Sequence, residues 1–215
     1  MQPTRRAVLA GASAACVGGA AGCLGGDGSN DASAYECDVD PADPDPEYRP
    51  AIGDPDADVV VRAFEDFTCG HCATYKLEEF PAIREAHVDT GAVRYEHWDF
   101  PIPVDEDWAV PVASAARGVG ARAGDEAFFA FTSAVYEYHG SYTLDAIGTA
   151  AEAADVDPCT AIADAEALSY EAPIASDRDA GVGMDVQGTP TVFVNGTPVE
   201  PTAEAVADAI DAART

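Results

Sequence analysis

FEDFTCGHCATY, residues 64–75, sets two thiols three residues apart, Cys69 and Cys72, between the apolar run Val59-Val60-Val61 and an amphipathic segment that ends near His87. A strand that enters a helix through such a turn puts the first sulfur at the helix N-terminus. There, unpaired backbone N–H groups and the helix dipole stabilise a thiolate. The stretch is read as a site for thiol chemistry, and the rest of the chain is arranged outward from it.

Residues 58–67 are mostly apolar with poor alternation, as expected of a central strand covered on both faces. A helix follows from about His71, interrupted or kinked near Pro81 and closed by Gly91. A second strand spans 92–100 and stops before Pro101 and Pro103. Residues 108–184 are Ala-rich and show helical patterns over 108–123, 125–138, 143–154, 158–168 and 170–180, with breaks at Gly140, Asp155 and Pro158. The chain closes with a strand at 191–194, a turn at Asn195-Gly196, a short strand at Pro198-Val199 and a helix over 203–213. No internal repeat is present.

Upstream of the domain, Thr4-Arg5-Arg6-Ala7-Val8-Leu9 and the weakly apolar Ala/Gly stretch after it resemble a twin-arginine export signal. Ala20-Ala21-Gly22-Cys23 resembles a lipobox, which makes residues 1–22 a signal peptide and Cys23 the lipidated new N-terminus. Cleavage nearby to release a secreted protein is the alternative, and either route discards Cys16. Residues 23–50, rich in Gly, Asp, Ser and Pro, are expected to form a flexible acidic tether, with the folded domain over 51–215.

The chain carries 39 acidic residues against 11 basic ones, a formal charge of −28, and Lys76 is its only lysine. That balance excludes nucleic acid and anionic lipid surfaces as natural partners. The acids are scattered along the whole chain, so salt adaptation of the kind seen in haloarchaeal proteins explains them better than one cationic partner does. Cys37 and Cys159 either pair as a structural disulfide or stand apart, one as a free tether thiol and the other buried among the helices. No second CxxC or CxxH completes a tetrahedral zinc site, so no metal is expected, and no cofactor motif is present. His87, His97 and His139 share no ligand spacing and are expected to be structural or exposed. Trp98, Trp108, Phe128, Phe129, Phe131, Tyr136 and Tyr138 are expected to pack the core, some lining a substrate groove.

CGHC after a buried strand, with Gly188-Thr189-Pro190-Thr191 opening a late strand and helices between, resembles the thioredoxin superfamily and most closely its DsbA-like branch, over about 54–213. The resemblance implies an α/β, thioredoxin-like fold with a helical insertion, about 108–184, between the second strand and the cis-proline strand. It makes Pro190 a cis proline beside the dithiol, leaving the backbone of Thr189 free to pair with an extended substrate. Cys69 is then the nucleophile and Cys72 the resolving thiol, forming the redox disulfide, and His71 stabilises the Cys69 thiolate. Many relatives place a buried acid six residues before the first cysteine, where this chain has Ala63. Glu65 is the candidate for proton transfer to Cys72, unless it and Asp66 are merely solvated.

The expected function is that of an extracytoplasmic thiol-disulfide oxidoreductase, lipid-anchored to the outer face of the membrane, oxidising exported proteins and reset by an unidentified redox partner. A surface reductase or isomerase uses the same residues, since CGHC also occurs in protein disulfide isomerases. A lipoprotein holding Zn or Cu through Cys69, Cys72 and a histidine is the reading from another class.

Overall fold

The computed structural model describes residues 34–102 and 104–214. Its core is a five-stranded sheet in the order β1-β3-β2-β4-β5, with β1 at Ala51–Gly53, β2 at Val60–Glu65, β3 at Arg94–Asp99, β4 at Thr191–Val194 and β5 at Thr197–Val199. β2 and β3 run parallel, Val60 opposite Arg94 through Glu65 opposite Asp99, and the other pairings are antiparallel. A parallel pair needs a crossover, and the helical run over 70–88 supplies it. Alternation along the strands sends Val61, Ala63, Glu65, Tyr95, His97 and Asp99 to the face under that run. Phe64 and Phe193 turn to the opposite face, into a smaller apolar cluster with Phe100 and Val186.

The interruption or kink expected near Pro81 takes the form of a widened turn. Gly70–Thr74 and Phe80–Ile83 are α-helical, whereas Tyr75–Glu79 and Arg84–Val88 are π-type, and the Phe80 N–H reaches back five residues to the Tyr75 carbonyl. Pro81 has no N–H to give and its ring crowds the preceding turn, so one extra residue per turn lets the run continue. Gly91, at φ +71°, ends it.

Five helices, Ala109–Ala123, Asp125–Tyr136, Leu144–Ala153, Pro158–Ala167 and Glu171–Gly183, form the insertion between β3 and β4, and Ala203–Ala213 closes the chain. Thr143, Asp157 and Thr202 cap three of them through side-chain oxygens that accept from backbone N–H groups. Small residues let the insertion pack closely, and a Cβ at Gly118 would lie 1.8 Å from Asp164 Oδ2.

Residues 34–50 correct the expected flexible tether and move the start of the ordered domain upstream of 51. They form a strap along the insertion. The Ala34 and Ala42 N–H groups donate to Asp145 and Asp164, each at 2.6 Å, and the Tyr48 hydroxyl donates to Asp125 at 2.9 Å. Arg117 donates to the Tyr48 carbonyl at 2.6 Å, and Arg49 pairs with Asp177 at 2.5 Å. Cys37 and Cys159 are joined in a disulfide, Cα to Cα 5.2 Å. The strap has no hydrophobic period because isolated aromatic, thiol and amide contacts hold it, not a buried face. The proposed signal peptide, Cys23 and the first part of the tether lie outside the described residues. Among the described residues no helix is long and apolar enough to cross a membrane.

Candidate active site

β2 delivers Cys69 to the start of the helical run in an extended conformation, with the Cys72 and Ala73 N–H groups donating to its carbonyl at 3.0 and 3.1 Å. Both cysteines are free thiols. Cys69 keeps 6% of its surface exposed, whereas Cys72 keeps none. The Cys69 sulfur lies 3.3 Å from the carbonyl of Thr189, the residue before cis-Pro190. A hydrogen bond from the Cys72 thiol is the largest influence on Cys69; with the Cys72 and His71 N–H groups it outweighs burial and brings the pKa down to about 4. Cys72 moves the other way: burial, the hydrogen bond it gives Cys69 and the negative charge of Glu65 all raise it well above an ordinary thiol.

His71 is exposed, and its backbone N–H is among the groups that lower the Cys69 pKa. Its position at the helix start turns the side chain outward, to a groove of about 370 Å³ shared with Tyr75, Glu79, Thr189 and Pro190.

Glu65 and Asp66 are not solvated, being 0% and 2% exposed. Asp66 accepts from the Thr68 N–H at 2.7 Å and from the Thr68 hydroxyl and Ile102 N–H at 2.8 Å, and its own N–H points at the Cys72 sulfur at 3.4 Å. Burial pushes its carboxyl up against those hydrogen bonds. Glu65 lies 3.4 Å from Lys76 Nζ and 3.3 Å from His97 Nδ1, and accepts from the Tyr136 hydroxyl at 3.4 Å. Burial works to raise Glu65, but Lys76 and then His97 overcome it and hold the carboxyl below its usual range.

Sequence reasoning missed the residues that hold the turn. Tyr136, Tyr142 and His139, all from the insertion, reach the successive carbonyls of Asp66, Phe67 and Thr68 at 3.4, 2.6 and 2.9 Å. His97, given no partner in the sequence, is wholly buried between Glu65 and Asp99. Only the density of aromatic and His residues over 136–142 hinted at the clamp. Phe128, Phe129, Phe131 and Tyr136 are core residues, whereas Trp98 lies on the opposite sheet face under Arg49, 3.7 Å from its ring centroid. Among the described residues no three His, Cys, Asp or Glu side chains converge to hold a metal ion.

Disulfide exchange requires one sulfur that is anionic at ambient pH and a partner that stays protonated until the first has reacted. On this fold, a dithiol split in that way defines a thiol-disulfide oxidoreductase. The chain belongs to the thioredoxin family, whose sequence profile matches residues 45–212. It is 26% identical over 171 residues to the probable disulfide bond formation protein D of Bacillus cereus, across 75% of this chain and 76% of that protein. Its fold resembles oxidised BdbD of Bacillus subtilis, with a TM-score of 0.69 at 21% identity over 77% of this chain and 92% of that one. It also resembles DsbA of Chlamydia trachomatis, with a TM-score of 0.70 at 23% identity over 78% and 92%. The architecture is thus DsbA-like, a thioredoxin fold with its helical insertion between β3 and β4.

Proposed function

We propose that this protein is an extracytoplasmic disulfide donor that passes the Cys69–Cys72 disulfide to exported proteins. The opposed acidity of the two thiols carries the reading. A Cys69 thiolate stabilised to a pKa of about 4 favours the reduced pair, so the disulfide gives up its bond readily. A substrate thiolate attacks the Cys69 sulfur and forms a mixed disulfide, while Cys72 leaves and takes up a proton. The second substrate thiolate then attacks the substrate sulfur, closing the substrate disulfide and releasing Cys69 as the thiolate. Glu65, anionic next to Cys72, raises the proton affinity of the departing sulfur and so suppresses its return. In the reverse direction Glu65 is the proposed acceptor for the Cys72 proton. Thr189 and Pro190, lining the groove with His71, are the proposed substrate-contacting positions.

The Cys37–Cys159 disulfide supports an oxidising compartment. The twin arginines and the Cys23 lipobox support export and lipid anchoring, with residues 1–22 removed. The acidic, lysine-poor composition supports a high-salt setting. Relatives named for disulfide bond formation favour the oxidising direction.

Equilibrating the soluble domain with glutathione in high salt tests the reading, with a Cys72→Ala variant to trap mixed disulfides. A potential above about −180 mV is expected; one below about −270 mV reverses the assignment to a reductase.

A further inference from the structure

Beneath the dithiol, six charged side chains are sealed from solvent, each at most 1% exposed: Glu65, Lys76, His97, Asp99, Arg117 and Asp177. They form a continuous series. Lys76 meets Glu65 at 3.4 Å, Glu65 meets His97 Nδ1 at 3.3 Å, and His97 Nε2 meets Asp99 at 3.1 Å. Arg117 Nε then donates to the second Asp99 oxygen at 2.7 Å and Nη2 donates to Asp177, which also accepts the Asp99 N–H at 3.2 Å. One end lies under Cys72, and the other reaches Arg49 of the strap.

A neutral imidazole carries one N–H, yet both ring nitrogens of His97 face a carboxylate oxygen. In either neutral tautomer one nitrogen turns its lone pair on an anion, and only the imidazolium donates to both. Charge balance makes the same demand. Asp177 already has both Arg117 and Arg49, so the demand is local: with His97 protonated a cation stands between Glu65 and Asp99. Without that proton the two buried carboxylates flank a neutral ring with Lys76 and Arg117 only on their outer sides, where buried charge is costly. What else faces His97 does not offset this: the rings of Phe67 and Phe128 flank it at 5.7 and 5.0 Å, and the Tyr136 hydroxyl donates to Glu65.

We propose that His97 is a positioning residue for the disulfide chemistry, a buried imidazolium that neutralises the carboxylates under the redox pair and so favours its reduced, thiolate form. The inference rests on the dithiol being a redox pair. Burial opposes the charged ring, but the bonds to Asp99 and Glu65 prevail and raise its pKa above that of a free histidine, in keeping with the geometry. Loss of the His97 charge leaves Glu65 with Lys76 and Asp99 with Arg117, which Asp177 shares alongside Arg49, and removes the cation between the two carboxylates. The less neutralised Glu65 then works against the Cys69 thiolate and weakens the disulfide as an oxidant.

The test has two parts. Nitrogen NMR of the histidine rings in the intact, reduced chain is expected to show both His97 nitrogens protonated at neutral pH, and a neutral tautomer there overturns the proposal. In His97→Gln, the ultraviolet titration of the Cys69 thiolate should move up by about one pH unit, with an approximately tenfold fall in the equilibrium constant for oxidising glutathione. The double variant His97→Gln/Asp99→Asn leaves Glu65 with Lys76 and Arg117 with Asp177, and should return both values toward those of the parent. A folded single variant with an unmoved titration overturns the proposal, as does a double variant no better than the single. Absence of any reversible Cys69–Cys72 disulfide in the parent chain sinks the redox reading instead, and the ring spectrum reports on His97 independently of it.

Discussion

At the residue scale, two thiols of one motif end with opposite acidities because they meet different surroundings. Cys69 receives hydrogen bonds, whereas Cys72 is desolvated beside an anion. The sign of the pH dependence follows. A thiol whose folded pKa is depressed contributes stability that is complete above the unfolded value of about 8.5 and is lost as pH falls through the folded value. The reduced form should therefore gain on the oxidised form in denaturant midpoint as pH rises from about 4. Midpoints of the two forms measured across that range check this, and a pH-independent difference would contradict the low Cys69 value. Lys76 teaches a second lesson. The chain's single lysine is not a surface remnant, for its Nζ sits over the Phe80 ring at 4.3 Å and beside Glu65, wholly inside the protein. Composition announced the scarcity of lysine but not that the surviving one is buried.

At the element scale, the helices and four of the five strands were readable to within a few residues from apolar runs and turn residues, whereas the edge strand β1, three residues long, left no such signal. The insertion and the last hairpin fall where Ala-rich helical patterns and Asn195-Gly196 place them. The strap was not readable, since its order comes from partners contributed by the insertion. Its covalent tie closes a loop with a sequence separation of 122. Replacing both cysteines, Cys37→Ala with Cys159→Ala, should cost up to about 4 to 5 kcal/mol in the chain-entropy treatment. Urea titration of the variant reads it, and an unchanged midpoint means that the non-covalent contacts alone hold the strap. The CxxC helix illustrates the converse. Its interruption at Pro81 was legible, but whether the chain bends there or widens its turn depended on the helix continuing across the sheet.

At the scale of the whole molecule, a formal charge of −28 repels itself, and dissolved salt shortens the range of that repulsion from about 30 Å at 0.01 M to about 3 Å at 1 M. The melting temperature should accordingly rise over that salt range, as calorimetry can establish. A flat profile would mean that the acids are already balanced within the fold. By itself the sequence determined the dithiol turn and most of the order of elements, because these rest on local chemistry or on a period of a few residues, while the class of fold and the cis-proline segment came from the resemblance that CGHC and Gly188-Thr189-Pro190-Thr191 carry. Tertiary structure alone decided that His71 faces solvent, that Glu65 and Asp66 are buried, that His97, His139, Tyr136 and Tyr142 serve the redox turn, and that Cys37 meets Cys159. Burial and charge pairing join residues far apart in the chain. No local pattern records which side chain will stand across the core from an acid.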